Sequence, residues 1–161
     1  MAFRLAFPGI LLMTPADAEI RNCFIIQAPS DISCGSPKRF RDPFGLSIAA
    51  KIVAGLRALN YQATDPKLGK ACDACFKIIF SGFCVNVILL VKRSAAEVQS
   101  LVITDPRKSL FSRVSTEEMR NSLAGVGASM DEILRNQPGI TSVSWLTHSQ
   151  AEKYFAKTPP R

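Results

Sequence analysis

Histidine is nearly missing from this sequence: 161 residues contain one, His148. General acid–base catalysis, nucleophilic triads and most zinc sites draw on histidine first, so an enzyme reading has to rest on carboxylates, cysteine or lysine. His148 follows one strand pattern and opens a short helical one, and no Ser, Cys or carboxylate signature ties it into a triad. A helix-end residue is its plain reading. Phosphate fingerprints are absent as well, with neither a P-loop nor a G-x-G-x-x-G run. Beyond the N-terminus the longest apolar stretch, Phe83 to Val91, includes Asn86 and stops at Lys92-Arg93. That is far short of the roughly 20 residues of a membrane span and suits a buried strand. Repeats, interdomain linkers and low-complexity tracts are also lacking.

What is present is enough apolar material for one core. Hydrophobic residues make up 47% of the chain and charged residues 20%, a balance outside the disordered and fibrous classes, and the length is that of one domain. The formal charge is +7 and the isoelectric point about 9.4, but the surplus is local. Residues 1–37 carry −1, residues 38–113 carry thirteen basic against five acidic side chains, and residues 114–161 are neutral. The densest points are Lys38-Arg39-Phe40-Arg41, Lys92-Arg93, and Arg107-Lys108 with Arg113 nearby. Such loops either contact phosphate or an acidic protein surface, or are solvated charge.

Residues 1–18 form an N-terminal extension with some features of a signal peptide: Arg4, an apolar stretch from Leu5 to Met13, and Ala16-Asp17-Ala18 as a cleavage site. Pro8-Gly9 interrupts that stretch. The five cysteines, Cys23, Cys34, Cys72, Cys75 and Cys84, are odd in number, and Cys23 and Cys84 sit inside apolar strand patterns, where a thiol acts as a small hydrophobe. The expectation is a reducing cytoplasm, with export and cleavage after Ala18 as the alternative.

Periodicity gives the architecture. Ile20 to Gln27 reads as a strand. Asp42-Pro43 is an N-cap followed by a first-turn proline, opening a helix to about Leu59 with Phe44, Ile48, Ile52, Leu56 and Leu59 on one stripe. Cys75–Phe80, Ser81-Gly82 and Phe83–Val91 read as a hairpin whose second strand is apolar on both faces. Val98 to Thr104 is a further strand, stopped by Asp105-Pro106. Ser115-Thr116-Glu117-Glu118 is a capping box opening a helix that buries Met119, Leu123, Val126, Met130, Ile133 and Leu134; Gly125 and Gly127 predict a break or close approach within it. Ile140 to Leu146 is a half-buried strand, and Ser149 to Glu152 caps a last helix through Phe155. The order β-α-β-β-β-α-β-α predicts an α+β two-layer sandwich over residues 19–156, a largely antiparallel sheet of about five strands with helices on one face, and a short tail at 157–161.

Three constellations bear on chemistry. Cys72-Asp73-Ala74-Cys75 has the spacing of a metal or redox pair, but further ligands would have to come from Cys34 and His148, and the pair runs into a strand instead of opening a helix. No metal or other cofactor is expected. Glu117-Glu118 and Asp131-Glu132 are adjacent on a helix, so they diverge on its surface. Ser81-Gly82-Phe83-Cys84-Val85 partly matches the third-strand run of an RNA recognition motif, with Phe24 as the partner aromatic, but the leading basic residue and second aromatic are missing. Phe83 is expected in the core.

The element order, together with Asp42-Pro43-Phe44-Gly45, the Ser109-Leu110-Phe111 stretch and Pro138-Gly139-Ile140 leading to Val143-Ser144-Trp145, resembles small single-domain bacterial α/β proteins encoded beside toxins, several of which are immunity partners in polymorphic-toxin systems. The resemblance spans about residues 19–155. It implies stoichiometric protein binding without catalysis. This chain departs from many such proteins in being basic, which favours an acidic toxin surface and disfavours nucleases. The expected function is therefore non-catalytic binding of an acidic protein surface. Lys38, Arg39, Arg41, Arg107 and Lys108 are the contact candidates, with Trp145 as an anchor; the alternative is a small basic nucleic-acid-binding domain.

Overall fold

A computed structural model describes residues 23–29 and 43–156. The elements in chain order are β1 (Cys23–Pro29), α1 (Pro43–Ala58), β2 (Gln62–Ala63), β3 (Ala74–Phe80), β4 (Phe83–Arg93), β5 (Glu97–Lys108), α2 (Thr116–Arg135), β6 (Ser142–Leu146) and α3 (His148–Ala156). The strands form one antiparallel sheet in the order β2-β3-β4-β5-β1-β6. This is the α+β sandwich expected, with six strands in place of five. The addition, β2, is two residues long, too short to show an alternation pattern.

Packing follows from strand parity. Phe24 and Ile26 of β1, Phe76 and Ile78 of β3, Val85, Val87 and Leu89 of β4 and Val98 and Val102 of β5 point to one face. There they meet Phe44, Ile48, Ile52 and Leu56 of α1 and Met119, Leu123, Val126, Met130 and Leu134 of α2. Fully burying a large apolar side chain contributes about 1.5–3 kcal/mol, so this layer dominates stability. The two helices approach closely at Gly55, where a Cβ would lie 2.7 Å from both Cδ1 and Cγ1 of Ile133. The close approach predicted at Gly125 and Gly127 thus occurs on the other helix, and α2 runs unbroken through both glycines. Leu59 falls past the end of α1 and is half exposed.

Four further expectations are corrected. Strand β5 does not stop at Asp105-Pro106 but continues to Lys108. There Pro106 pairs with Val85 of β4, outside the described pairing of β5 with β1, which reaches Ile103. The strand buried on both faces is β5, from Ser100 to Asp105, whereas β4 is buried on its odd-numbered face and half-buried on the other. The last helix lies on the opposite side of the sheet from α1 and α2: Ala151 and Tyr154 cover Cys23, Ile25, Leu101 and Ile103. Its cap also starts earlier, with Thr147 N–H donating to Gln150 Oε1 at 2.9 Å and Gln150 N–H to Thr147 Oγ1 at 3.2 Å. The Ser115 box is as expected: Glu118 N–H donates to Ser115 Oγ at 3.1 Å, and Ser115 N–H to Glu118 Oε2 at 2.7 Å.

Candidate functional site

Among the described elements only α3 packs on the second sheet face, on its β1 side. The rest, over β3, β4 and β5, carries a cleft of about 530 Å³. The sequence builds it in two parts. The floor comes from strand alternation, and cross-strand register sets Lys77 beside Asn86 and Asn86 beside Asp105. Cys75 lies beside Ile88 in the next row.

The wall is the segment from Thr64 to Cys72, which turns out of α1 through Asn60 in the left-handed region (φ 66°). Several bonds strap it to the sheet edge. Arg57 donates from its Nε and a terminal nitrogen to the Ala63 carbonyl at 3.0 and 2.8 Å, and from a terminal nitrogen to Asp65 at 2.8 Å. Lys67 and Cys75 exchange backbone bonds at 2.9 and 2.8 Å. At the far end Asp73, nearly buried, accepts from Val91 N–H at 2.7 Å and donates its own N–H to Leu89. The wall is therefore fixed relative to the floor.

Four cations line the cleft: Lys67, Lys70, Lys77 and Arg107. Its two carboxylates are both engaged. Asp65 pairs with Arg57, and Asp105, whose side chain is 5% exposed, receives Nε and a terminal nitrogen of Arg107, each at 2.8 Å. Among the described residues the amines of Lys67, Lys70 and Lys77 have no ion-pair partner, and all three are exposed. The cleft is thus electropositive, with Asn86 as a neutral hydrogen-bonding group on its floor. Such a set binds carboxylates or phosphates as point charges. The shifted pKa values belong to other places: burial, with the Glu97 charge adding to it, raises the Tyr154 phenol, whose hydroxyl donates to Gln99 at 3.0 Å.

The residues singled out from sequence do not gather into one patch. Lys38, Arg39 and Arg41, like Cys34, residues 1–18, the Asp42 cap and the tail at 157–161, lie outside the described residues. Arg107 lines the cleft, but strand alternation turns Lys108 to the opposite face, where it pairs with Phe83. Trp145 sits on edge strand β6 against Phe24, with ring centroids 5.2 Å apart and 45% exposure. Its row on β5 is that of Val102, roughly 20 Å along the strand from Lys108. Phe24 and Phe83 are 0% and 6% exposed beneath the helices, so neither offers a face for a base to stack on.

Cys72 and Cys75 line the cleft. Among the described residues no group of three or more His, Cys, Asp or Glu is placed to hold a metal ion. Sequence reasoning missed Lys67, Lys70, Lys77, Asn86 and Asp105. Asn86 within an apolar run and Lys77 between isoleucine and phenylalanine were the available signals, but their convergence needs the register.

Fold and cleft together define an α+β protein with a cationic recess on one sheet face. No protein-family model, curated protein or solved structure matches the chain.

Proposed function

We propose that this chain is a non-catalytic binding protein that docks an acidic segment of a partner protein in the cleft over β3, β4 and β5. The observation carrying this reading is the trio Lys67, Lys70 and Lys77, three exposed amines without ion-pair partners among the described residues, around a walled recess. Arg107 retains its role from the sequence reading as a fourth contact, oriented by Asp105. Neutralisation of a toxin by covering its acidic surface is the specific form suggested by the element order, and a toxin-encoding neighbouring gene would support it. Residence in a reducing cytoplasm belongs to the same proposal, supported by Cys23 serving as a buried hydrophobe. N-terminal sequencing of the mature protein tests it, since a start at Glu19 means export. No described helix is long and apolar enough to cross a membrane.

The test is a titration with a fluorescent Asp/Glu-rich peptide and, separately, a single-stranded oligonucleotide of equal charge. Each exposed ion pair is worth about 0.5 kcal/mol, so Lys67→Glu, Lys70→Glu and Lys77→Glu together should weaken peptide binding about tenfold or more. Binding of the oligonucleotide but not the peptide, with a steep loss on adding salt, would replace this reading with the nucleic-acid alternative.

A further inference from the structure

The connection from β5 to α2 presents two large apolar side chains to solvent with almost nothing covering them. Leu110 is 97% and Phe111 96% exposed, whereas the other exposed large hydrophobics lie between 45% and 50%. Single exposed apolar residues are ordinary, but these two are adjacent and occupy the apex of a built turn. Ser112 N–H donates to the Ser109 carbonyl at 3.0 Å, which closes a four-residue turn with Leu110 and Phe111 at its centre.

The turn is braced from behind. Ser109 N–H donates to the Gly82 carbonyl at 3.1 Å, and Val114 N–H to Ser112 Oγ at 3.2 Å. Gly82 has φ +82°, and a Cβ there would lie 2.8 Å from Ser112 Oγ and 2.9 Å from a Val114 methyl. The β3–β4 turn and the segment after the apex are therefore fitted together, and the apex projects from a fixed base.

We propose that this apex is an interfacial anchor which inserts Leu110 and Phe111 into an anionic lipid surface. The sequence around it, Lys108-Ser109-Leu110-Phe111-Ser112-Arg113, places a cation two residues outside each apolar side chain. The result is an apolar tip with a cationic collar, the arrangement in which long basic side chains meet headgroups while apolar groups enter the acyl boundary. Arg107 is tied to Asp105 and is not counted in the collar. The Glu118 carboxylate, which Lys108 also feels, is engaged by the N–H of Ser115 in the helix cap.

Size favours a bilayer over a protein pocket. Two such side chains expose roughly 400 Å², about half of what each partner buries in a stable protein interface. A bilayer takes so small a tip without a shaped counter-surface.

The full chain should float with vesicles of phosphatidylcholine doped with phosphatidylglycerol and not with phosphatidylcholine alone. Leu110→Ser with Phe111→Ser should lower partitioning by about tenfold or more while thermal unfolding stays unchanged, because neither side chain is packed. Lys108→Gln with Arg113→Gln should lower it by roughly fivefold per charge. In a Trp145→Phe background, Phe111→Trp should report insertion as a blue shift of emission on adding the anionic vesicles. Absence of vesicle binding, equal binding to neutral vesicles, or equal partitioning of the double serine variant each overturns the anchor. So does loss of acidic-peptide binding in that variant without vesicle binding, since the tip would then belong to a protein interface. The lysine reversals in the cleft leave the fluorescence shift in place if the two sites are separate, so failure of one proposal is distinguishable from failure of the other.

Discussion

Replacing Arg107 by alanine tests whether this cation is a docking group alone or is also required by the fold. Two of its nitrogens, Nε and one terminal nitrogen, donate to one oxygen of Asp105 at 2.8 Å. The Arg107 side chain is 28% exposed and that of Asp105 5%. An exposed pair of this kind is worth about 0–1 kcal/mol, whereas breaking a fully buried one by removing a partner costs about 3–5 kcal/mol. With the carboxylate buried and the guanidinium partly solvated, the expected cost of Arg107→Ala lies between those limits, at about 2 kcal/mol.

Urea denaturation of four proteins reads this out: wild type, Arg107→Ala, Asp105→Asn and the double variant. Once Asp105 is neutral, the arginine change should cost less than about 1 kcal/mol, giving a coupling of at least about 1 kcal/mol. A coupling below about 0.5 kcal/mol would refute the reasoning and return Arg107 to the class of solvated charges. Peptide affinity measured on Asp105→Asn then separates positioning from charge. If Asp105 orients the guanidinium, affinity falls even though the site has lost a negative charge.

Gly55→Ala gains about 1 kcal/mol of helix propensity but forces Ile133 to move, and a β-branched side chain on a helix has few rotamers to move into. Overpacking of this kind costs about 1–3 kcal/mol, so the variant should be no more stable than wild type, and Ile133→Ala should reveal the propensity gain; equal effects of Gly55→Ala in both backgrounds would contradict this. Ser115→Ala removes the acceptor for Glu118 N–H and should cost about 1 kcal/mol of stability by thermal or urea denaturation. The hydrogen bonds from Ser115, backbone first and then side chain, hold the Glu118 carboxyl below its ordinary 4.5. Its contribution is therefore complete above the unfolded-state value and is lost as pH falls through the lower folded-state value. An NMR titration of Glu118 with a midpoint at or above 4.5 would contradict that assignment.

Local patterns in the chain carry most of the secondary structure. The Ser115 box, the Pro43 helix start, the Ser81-Gly82 turn and the stripes of α1 and α2 all rest on spacings of at most four residues, and the structure shows each where the spacing places it, Leu59 apart. The errors fall where a local signal meets a distant partner. Pro106 reads as a stop, yet it is carried within β5 by its pairing with Val85 of β4, remote in sequence. Ser149 reads as a cap, but Thr147 and Gln150 form a better one once Leu146 ends β6. Gly125 and Gly127 read as a contact point, while the glycine that sets the approach of the two helices is Gly55, whose neighbour Ile133 is remote in sequence.

The amino-acid sequence by itself determined an α+β class, a core drawn from alternating strands and two amphipathic helices, and a basic surplus confined to residues 38–113. Only the tertiary structure decided that β1 enters between β5 and β6, that α3 covers one half of the second sheet face, and that Lys67, Lys70, Lys77 and Arg107 surround a cleft on the half that no other described element covers. The physical reason is the range of the interactions. Helical and strand periodicities are set by near neighbours along the chain, whereas a cleft is set by register, and register joins residues such as Lys77, Asn86 and Asp105 whose alignment depends on every pairing between them.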